Sequence, residues 1–318
     1  MRALSTSSSD AVAMERERAH LWQLCYRMTG SASDAEDLVQ ETFVRALESP
    51  PPDLSAPLRP WLVRVAMNLA RDQLRRRKRR GYHGVWLPAA VETTADAHGD
   101  PVSPGPTPET RYSLMESASF AFLIALEELT PSQRAVLLLR DAFDYSGIET
   151  AEALGLSEEN VRITLHRARK RMQGYDTRRP EFSAEARAAA TAMLQRFFGL
   201  LIAQDLAGAA ALLSDDVRAL SDGGGVRPTA RAPLSGAARI AKFFGKLTTK
   251  SSAELAVELR LVNGLPALVG HDPKPSKPAA THFVISLDLD GEGRIRRIYS
   301  VVAPDKLRAV SFPSARAR

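Results

Sequence analysis

The sequence predicts a multidomain protein, two all-α helical domains followed by an α+β domain, and three observations carry that prediction. Apolar residues recur at helical spacing through residues 13–80 and again through 111–174. Between these blocks HGDPVSPGPTPET, residues 98–110, holds four prolines and no apolar period, so it reads as a linker. From about residue 181 the pattern changes to an Ala-rich helix over 183–204. Short alternating runs follow, AELAVELRLVN and THFVISLDLDGEGRIRRIYSVVA, and these read as strands. The expected segments are therefore 13–80, a linker over 81–110, 111–174 and 181–310.

Composition sets the outer limits. The chain has 318 residues, 44% hydrophobic and 25% charged, which is ordinary globular material and enough for two or three small domains. Forty-three Lys and Arg against 37 Asp and Glu give a net charge of +6, which permits a polyanionic partner without demanding one. The single cysteine, Cys25, sits in the apolar run LWQLCYRM and excludes a disulfide framework within the chain. A reducing compartment and a buried thiol fit it. The N-terminal stretch lacks the apolar core of a signal peptide, and no segment approaches the roughly 18 apolar residues of a membrane span. A soluble, cytoplasmic protein that makes no membrane contact is expected.

In the first block, SASDAEDLVQETFVRALE is amphipathic, with Ser33 and Glu36 in capping-box spacing at its start. Val39, Phe43 and Ala46 fall on one face, and Asp37, Gln40 and Glu41 on the other. That acidic and amide patch would suit a basic partner surface, although the pattern taken alone favours a solvated face. The next helix, WLVRVAMNLARDQLRRRKRR over 61–80, places Leu62, Val65 and Leu69 on a core stripe. A second stripe, Trp61, Arg64, Asn68, Arg71 and Arg75 with Arg76 beside it, combines an aromatic, an amide and guanidiniums. These supply stacking, base-edge hydrogen bonds and phosphate neutralisation, the chemistry of single-stranded nucleic acid. Each residue alone has a structural explanation; their coincidence on one face favours the nucleic-acid reading.

The second block is more specific. In IETAEALGLSEENVRITLHRARKRM, Ala151, Gly155 and Val161 occupy the small-residue, turn-glycine and packing positions of a helix-turn-helix, and Ser157 is a natural N-cap. Val161, Leu165, Ala168 and Met172 make the inward stripe of the second helix. Arg162, His166 and Arg169 share an outward face, with Arg167 and Lys170 alongside, as a helix lying in a major groove requires. No second ligand stands at metal spacing from His166, so no metal or cofactor is expected.

In order and spacing, DAEDLVQETFVRALE, PWLVRVAMNLARDQLRRRKRR and LTPSQRAVLLLRDAFDYSGIETAEALGLSEENVRITLHRARKRM resemble the two domains of extracytoplasmic-function sigma factors. The resemblance implies a bacterial transcription initiation factor whose partners are promoter DNA and core RNA polymerase, through its β′ and β subunits. By that resemblance Asp37, Gln40 and Glu41 would face the β′ coiled coil, and the stripe from Trp61 to Arg75 would melt and hold the −10 element. Asn68 falls where the family lines a flipped-base pocket. The helix at 158–172 would read the −35 element, and the linker over 81–110 would thread through the polymerase.

The third segment resembles the SnoaL-like domain, an α+β cone, that is fused to a subgroup of these sigma factors. The subgroup's marks are a WLP motif, here Trp86 to Pro88, a DGGG loop, here Asp222 to Gly225 with Gly223 and Gly224, and an NPDKL-like end. That end reads APDKL here, with Asp305 and Lys306. Free-standing relatives include enzymes, so Asp222, His271, Asp272 and His282 are candidate acid–base groups. Their spacing selects no pair, and a regulatory contact surface is expected instead, with any small-molecule ligand unspecified. The alternative is an operator-binding helix-turn-helix regulator carrying a ligand-binding or catalytic SnoaL-like module, which would not depend on core polymerase.

Overall fold

The computed structural model describes residues 8–49, 57–80, 82, 84–93, 111–227, 229–230, 232–276 and 279–314. The proline-rich stretch 98–110 lies outside the described residues. The chain divides into two compact units: residues 1–81, 94–118 and 122–177 contribute to one, and residues 82–93, 119–121 and 178–318 to the other.

The first unit is helical. Helices α1 (Ser8–Thr29), α2 (Ala32–Glu48) and α3 (Leu58–Arg80) pack on one another. They are followed by α4 (Leu114–Ser117), α5 (Phe120–Ala125), α6 (Pro131–Asp141), α7 (Gly147–Leu154) and α8 (Glu158–Asp176). Capping chemistry starts these helices. Thr130 with Gln133 and Ser146 with Glu149 form full capping boxes, and Ser157 caps α8 by accepting from the Asn160 amide. Gly155 ends α7 in the left-handed region, φ 64°, where a side chain would be strained.

Two expectations need correction. The cap of α2 is Ser31, whose hydroxyl accepts from the Asp34 amide, so the Ser33–Glu36 pair lies inside the helix. Gly30, at φ 68°, turns the chain there. On α3 the buried face is Leu62, Val63, Ala66, Met67, Ala70 and Leu74, whereas Val65 and Leu69 are half-buried. The shift has a packing cause: α3 is covered by α1 and α2 on one side and by α6 and α7 on another, so its inward face is wider than one stripe.

The second unit is a six-stranded sheet with helices on one face. Helices α9 (Ala184–Ile202), α10 (Leu206–Ala211) and α11 (Ala237–Thr248) accompany β1 (Leu213–Asp222), β2 (Leu234–Ser235), β3 (Ala256–Val262), β4 (Leu265–His271), β5 (His282–Leu289) and β6 (Ile295–Val301). The strand order is β2-β1-β6-β5-β4-β3, with only β1 and β6 parallel. Leu194, Phe197, Leu201 and Phe244 from the helices meet Ile285, Leu287 and Ile298 from the strands in one apolar core. The β3–β4 hairpin turns through Asn263 and Gly264, at φ 53° and 76°, the two-residue turn that matches strand twist.

Residues of alternate parity on β4, β5 and β6 face the other side of the sheet. Ala267, Val269, Val284, Tyr299 and Val301 are nonetheless buried there. Phe120 stacks on the Tyr299 ring at 5.4 Å, and the chain at 86–93 joins the same unit with Leu87, Ala89, Ala90 and Val91 buried. Among the described residues no helix is long and apolar enough to cross a membrane, and no cluster of His, Cys, Asp or Glu is placed to hold a metal ion.

Candidate nucleic-acid interface and linker clamp

On α3 the residues Arg64, Asn68, Arg75 and Arg76 are exposed and Trp61 is half-buried, which keeps most of the expected stripe in reach of a ligand. Arg71 departs from it. Its Nη1 donates to the Leu154 carbonyl at 3.4 Å and its Nη2 to Ser132 Oγ at 3.2 Å, so the guanidinium bridges the stripe to the helix-turn-helix. Its buried Nε has no hydrogen-bond partner, and burial and the nearby Arg75 push its pKa down. Arg75 itself pairs with Asp72 at 2.8 Å.

Arg77, one residue beyond the stripe, is structural. It donates to the Thr29 carbonyl and forks onto both oxygens of Glu127 at 2.6 and 2.7 Å. Glu127 also receives the buried Arg134 at 2.9 Å. Burial would raise the Glu127 carboxyl, but Arg134 and Arg77 outweigh it and hold the group below the usual carboxylate range.

On α8, Arg162, His166, Arg167 and Lys170 are exposed, and the inward stripe Val161, Leu165, Ala168 and Met172 is buried as expected. Arg169 is a correction: its Nε and Nη2 fork onto the fully buried Asp141 at 2.9 and 2.6 Å. It fastens α8 to α6 while its side chain stays part-exposed, because a buried carboxylate needs a paired cation. On α2, Asp37, Gln40 and Glu41 are exposed; Gln40 donates to Glu36 and Glu41 accepts from Arg45. Cys25 is fully buried, and burial pushes its thiol up to about 12, an inert structural group.

The second unit gathers most of the remaining motif residues around one carboxylate. Asp222, 1% exposed, accepts from Tyr82 Oη at 2.5 Å and the Gly224 amide at 2.8 Å on Oδ1. Its Oδ2 accepts from the Leu87 amide at 2.7 Å and Lys306 Nζ at 2.6 Å. Lys306 Nζ also donates to the Leu87 carbonyl and lies 4.5 Å from the Tyr82 ring centroid and 4.9 Å from that of Trp86. Pro88 is buried beside it. A Cβ at Gly223 would collide with the Arg227 backbone, and Gly224, φ 66°, lies against Ala303, so the loop needs both glycines. Asp305 is a second correction: it is exposed and pairs with Arg308, outside this network.

Further along, the segment is held mostly through its backbone. The Ala90 amide donates to the Lys306 carbonyl, the Val91 amide to Asn263 Oδ1, the Asn263 amide to the Val91 carbonyl, and the Thr93 amide to the Leu261 carbonyl. Glu92 accepts from Arg260 and from the Ser311 amide. Residues 87–93 thus run between the β3–β4 hairpin and the chain end at 306–311. Tyr82, Asn263, Glu92 and Arg260 were not among the expected contacts. The Asn-Gly pair at 263–264 was the one signal available for them.

The acid–base candidates do not form a reaction centre. Asp222 is consumed as above, Asp272 accepts from the Ser252 amide and hydroxyl and from the Lys274 amide, and His271 stacks on His282 at 4.6 Å.

The chain is similar to known proteins along its length. Residues 13–80 match Sigma-70 region 2, and residues 120–172 match Sigma-70, region 4. The ECF RNA polymerase sigma factor SigJ of Mycobacterium tuberculosis is 32% identical over 317 residues, covering 96% of this chain and 95% of that protein. SigG of the same species is 39% identical over 175 residues, 50% of this chain and 46% of its own. The crystal structure of SigJ matches with a TM-score of 0.71 at 28% identity, over 95% of this chain and 100% of that one. Likeness along the whole length in both sequence and fold, with regions 2 and 4 in their order, makes this chain a member of the ECF RNA polymerase sigma factors.

Proposed function

We propose that this sigma factor is governed in cis by its C-terminal domain, which grips the segment joining the two promoter-reading regions. As a member of its family the chain directs promoter-specific initiation with core RNA polymerase, and the operator-binding alternative is not favoured by full-length similarity to a sigma factor. A cytoplasmic location goes with that role. In this reading Asp37, Gln40 and Glu41 meet the polymerase, and Trp61, Arg64, Asn68, Arg75 and Arg76 serve the −10 element. Ser157, Arg162, His166, Arg167 and Lys170 serve the −35 element. Arg71 joins the −10 group only when it leaves Leu154 and Ser132.

The observation that carries the regulatory reading is the four-fold acceptance by Asp222, which ties Tyr82 and Leu87 to Lys306. The test is transcription in vitro with purified bacterial core enzyme and a genomic promoter pool. Core-dependent transcripts are expected, and Trp86→Ala and Asp222→Ala should each change their yield, with a non-additive double variant. Yields equal to those of the unaltered protein in all three variants would overturn regulation through this contact while leaving the sigma activity intact.

A further inference from the structure

The C-terminal domain carries a cavity of about 140 Å³ that the network around Asp222 does not use. Its lining includes three nitrogen-rich groups: Arg227 from the loop after Gly225, His282 at the start of β5, and Arg308. The rest of the lining is apolar: Val302, Pro304, Leu307 and Phe312 with Ala280. Among the described residues no carboxylate lines it.

Arg308 pairs with Asp305 at 2.7 Å, but both side chains are exposed, so that pair holds it weakly. Arg227 has no ion pair among the described residues. Its charge reaches His282, whose pKa is pushed down by burial, by His271 and by Arg227. Behind His282 the His271 ring stacks at an interplanar angle of 7°, its Nδ1 facing the Pro313 carbonyl, and Phe312 meets the His282 ring edge-to-face at 4.4 Å. Two guanidiniums thus line a concave site, with the exposed Asp305 as the one counter-charge among the described residues, an arrangement that attracts an anion.

We propose that this cavity binds a small monocarboxylate with an apolar body about the size of a benzene ring. The carboxylate lies between Arg227 and Arg308, and the body rests on Leu307 and Phe312. Size sets the upper limit, because an apolar cavity of roughly 150 Å³ accepts benzene. The apolar wall argues against inorganic phosphate, which would leave Phe312 and Leu307 without a partner. The space between sheet and helices is filled by the core around Phe197 and Phe244. The site adjoins the linker clamp: Leu307 and Phe312 are the sequence neighbours of Lys306 and Ser311, which bond to Leu87 and Glu92.

Calorimetric titration of the full chain with benzoate tests this directly and does not depend on transcription. The expected Kd is about 1 mM. Benzyl alcohol, which lacks the charge, and inorganic phosphate, which lacks the body, should each bind about tenfold more weakly. Arg227→Gln, Arg308→Gln and Phe312→Ala should each weaken benzoate binding by a similar factor, with circular dichroism confirming that the variants are folded. Absence of saturable binding, phosphate binding as tight as benzoate, or affinity unchanged in both arginine variants would overturn the proposal.

Discussion

Replacing Asp222 by alanine removes a buried carboxylate and strands the groups that depend on it. Lys306 keeps 14% side-chain exposure, the Leu87 carbonyl and two aromatic faces, so its charge is not wholly abandoned. Breaking a buried ion pair from one side costs about 3–5 kcal/mol, and this partial compensation places the cost near the lower end, about 3 kcal/mol. The loss is local, because what Asp222 holds is the segment from Tyr82 to Leu87. Hydrogen exchange is therefore the suitable assay, and the peptide spanning residues 84–93 is the one to follow. An opening free energy lowered by about 3 kcal/mol accelerates exchange of the Leu87 amide by a factor of about 100. Lys306→Met should do less, about 1–3 kcal/mol, since Asp222 keeps three neutral donors. Exchange at 84–93 within about threefold of the unaltered protein in Asp222→Ala would refute the reasoning.

Asn68→Ala should reduce promoter melting while leaving core binding intact, at a cost of about 1–3 kcal/mol for a lost base contact, read as open-complex yield by permanganate footprinting. Arg162→Ala should relax discrimination among −35 sequences, and Lys170→Ala should lower the salt slope of binding by about 1, both measured by fluorescence anisotropy. Arg169→Ala should instead destabilise the fold by about 3 kcal/mol, because Asp141 is left buried and unpaired; thermal melting separates this from a DNA-contact effect. Glu127→Gln should cost about 1–2 kcal/mol at pH 7, discounted for the solvent that reaches Glu127. Because the folded carboxyl is held below its unfolded value, that contribution is complete above about pH 4.3 and fades as pH falls through the folded pKa. The difference between the two proteins in urea should therefore shrink on acidification, and a constant difference would contradict the assigned pairing.

The helix-turn-helix was legible because its parts are local. Gly155 marks a left-handed turn, Ser157 a cap, and Val161, Leu165, Ala168 and Met172 a single buried stripe, all readable without knowing what packs on them. The α3 core was less legible, because a helix covered on two sides buries Val63, Ala66 and Met67 as well, and periodicity alone reports the narrow stripe. Arg169 looked outward by projection and turned inward because Asp141, twenty-eight positions earlier, is buried beneath it. The cap of α2 slipped from Ser33 to Ser31 since both serines precede an acidic residue by three, and only the Gly30 turn decides between them. Of the motifs in the third segment, resemblance pointed to Trp86, Asp222 and Lys306, but no spacing rule says that the Asp222 carboxylate takes Lys306 and the Leu87 amide, or that the Trp86 ring lies by the Lys306 ammonium. Such a contact is set by chain topology and appears only in three dimensions.

Residues 89–93 are held by amides and carbonyls paired to Lys306, Leu261 and Asn263. A strand recognised by its main chain presents the same face to its partner whatever side chains it carries, within the limits of size and of proline. Drift in the letters that follow Trp86–Pro88 is therefore inexpensive, and Ala89 and Ala90 serve as well as other small residues would. The positions without that freedom are Glu92, whose carboxylate takes Arg260 and the Ser311 amide, the side chains that stand in for backbone, Asp222 and Asn263, and the glycines that let the loop close around them. A search for relatives that share this grip would do better to weight Asp222, Gly223, Asn263 and Lys306 than the segment they hold.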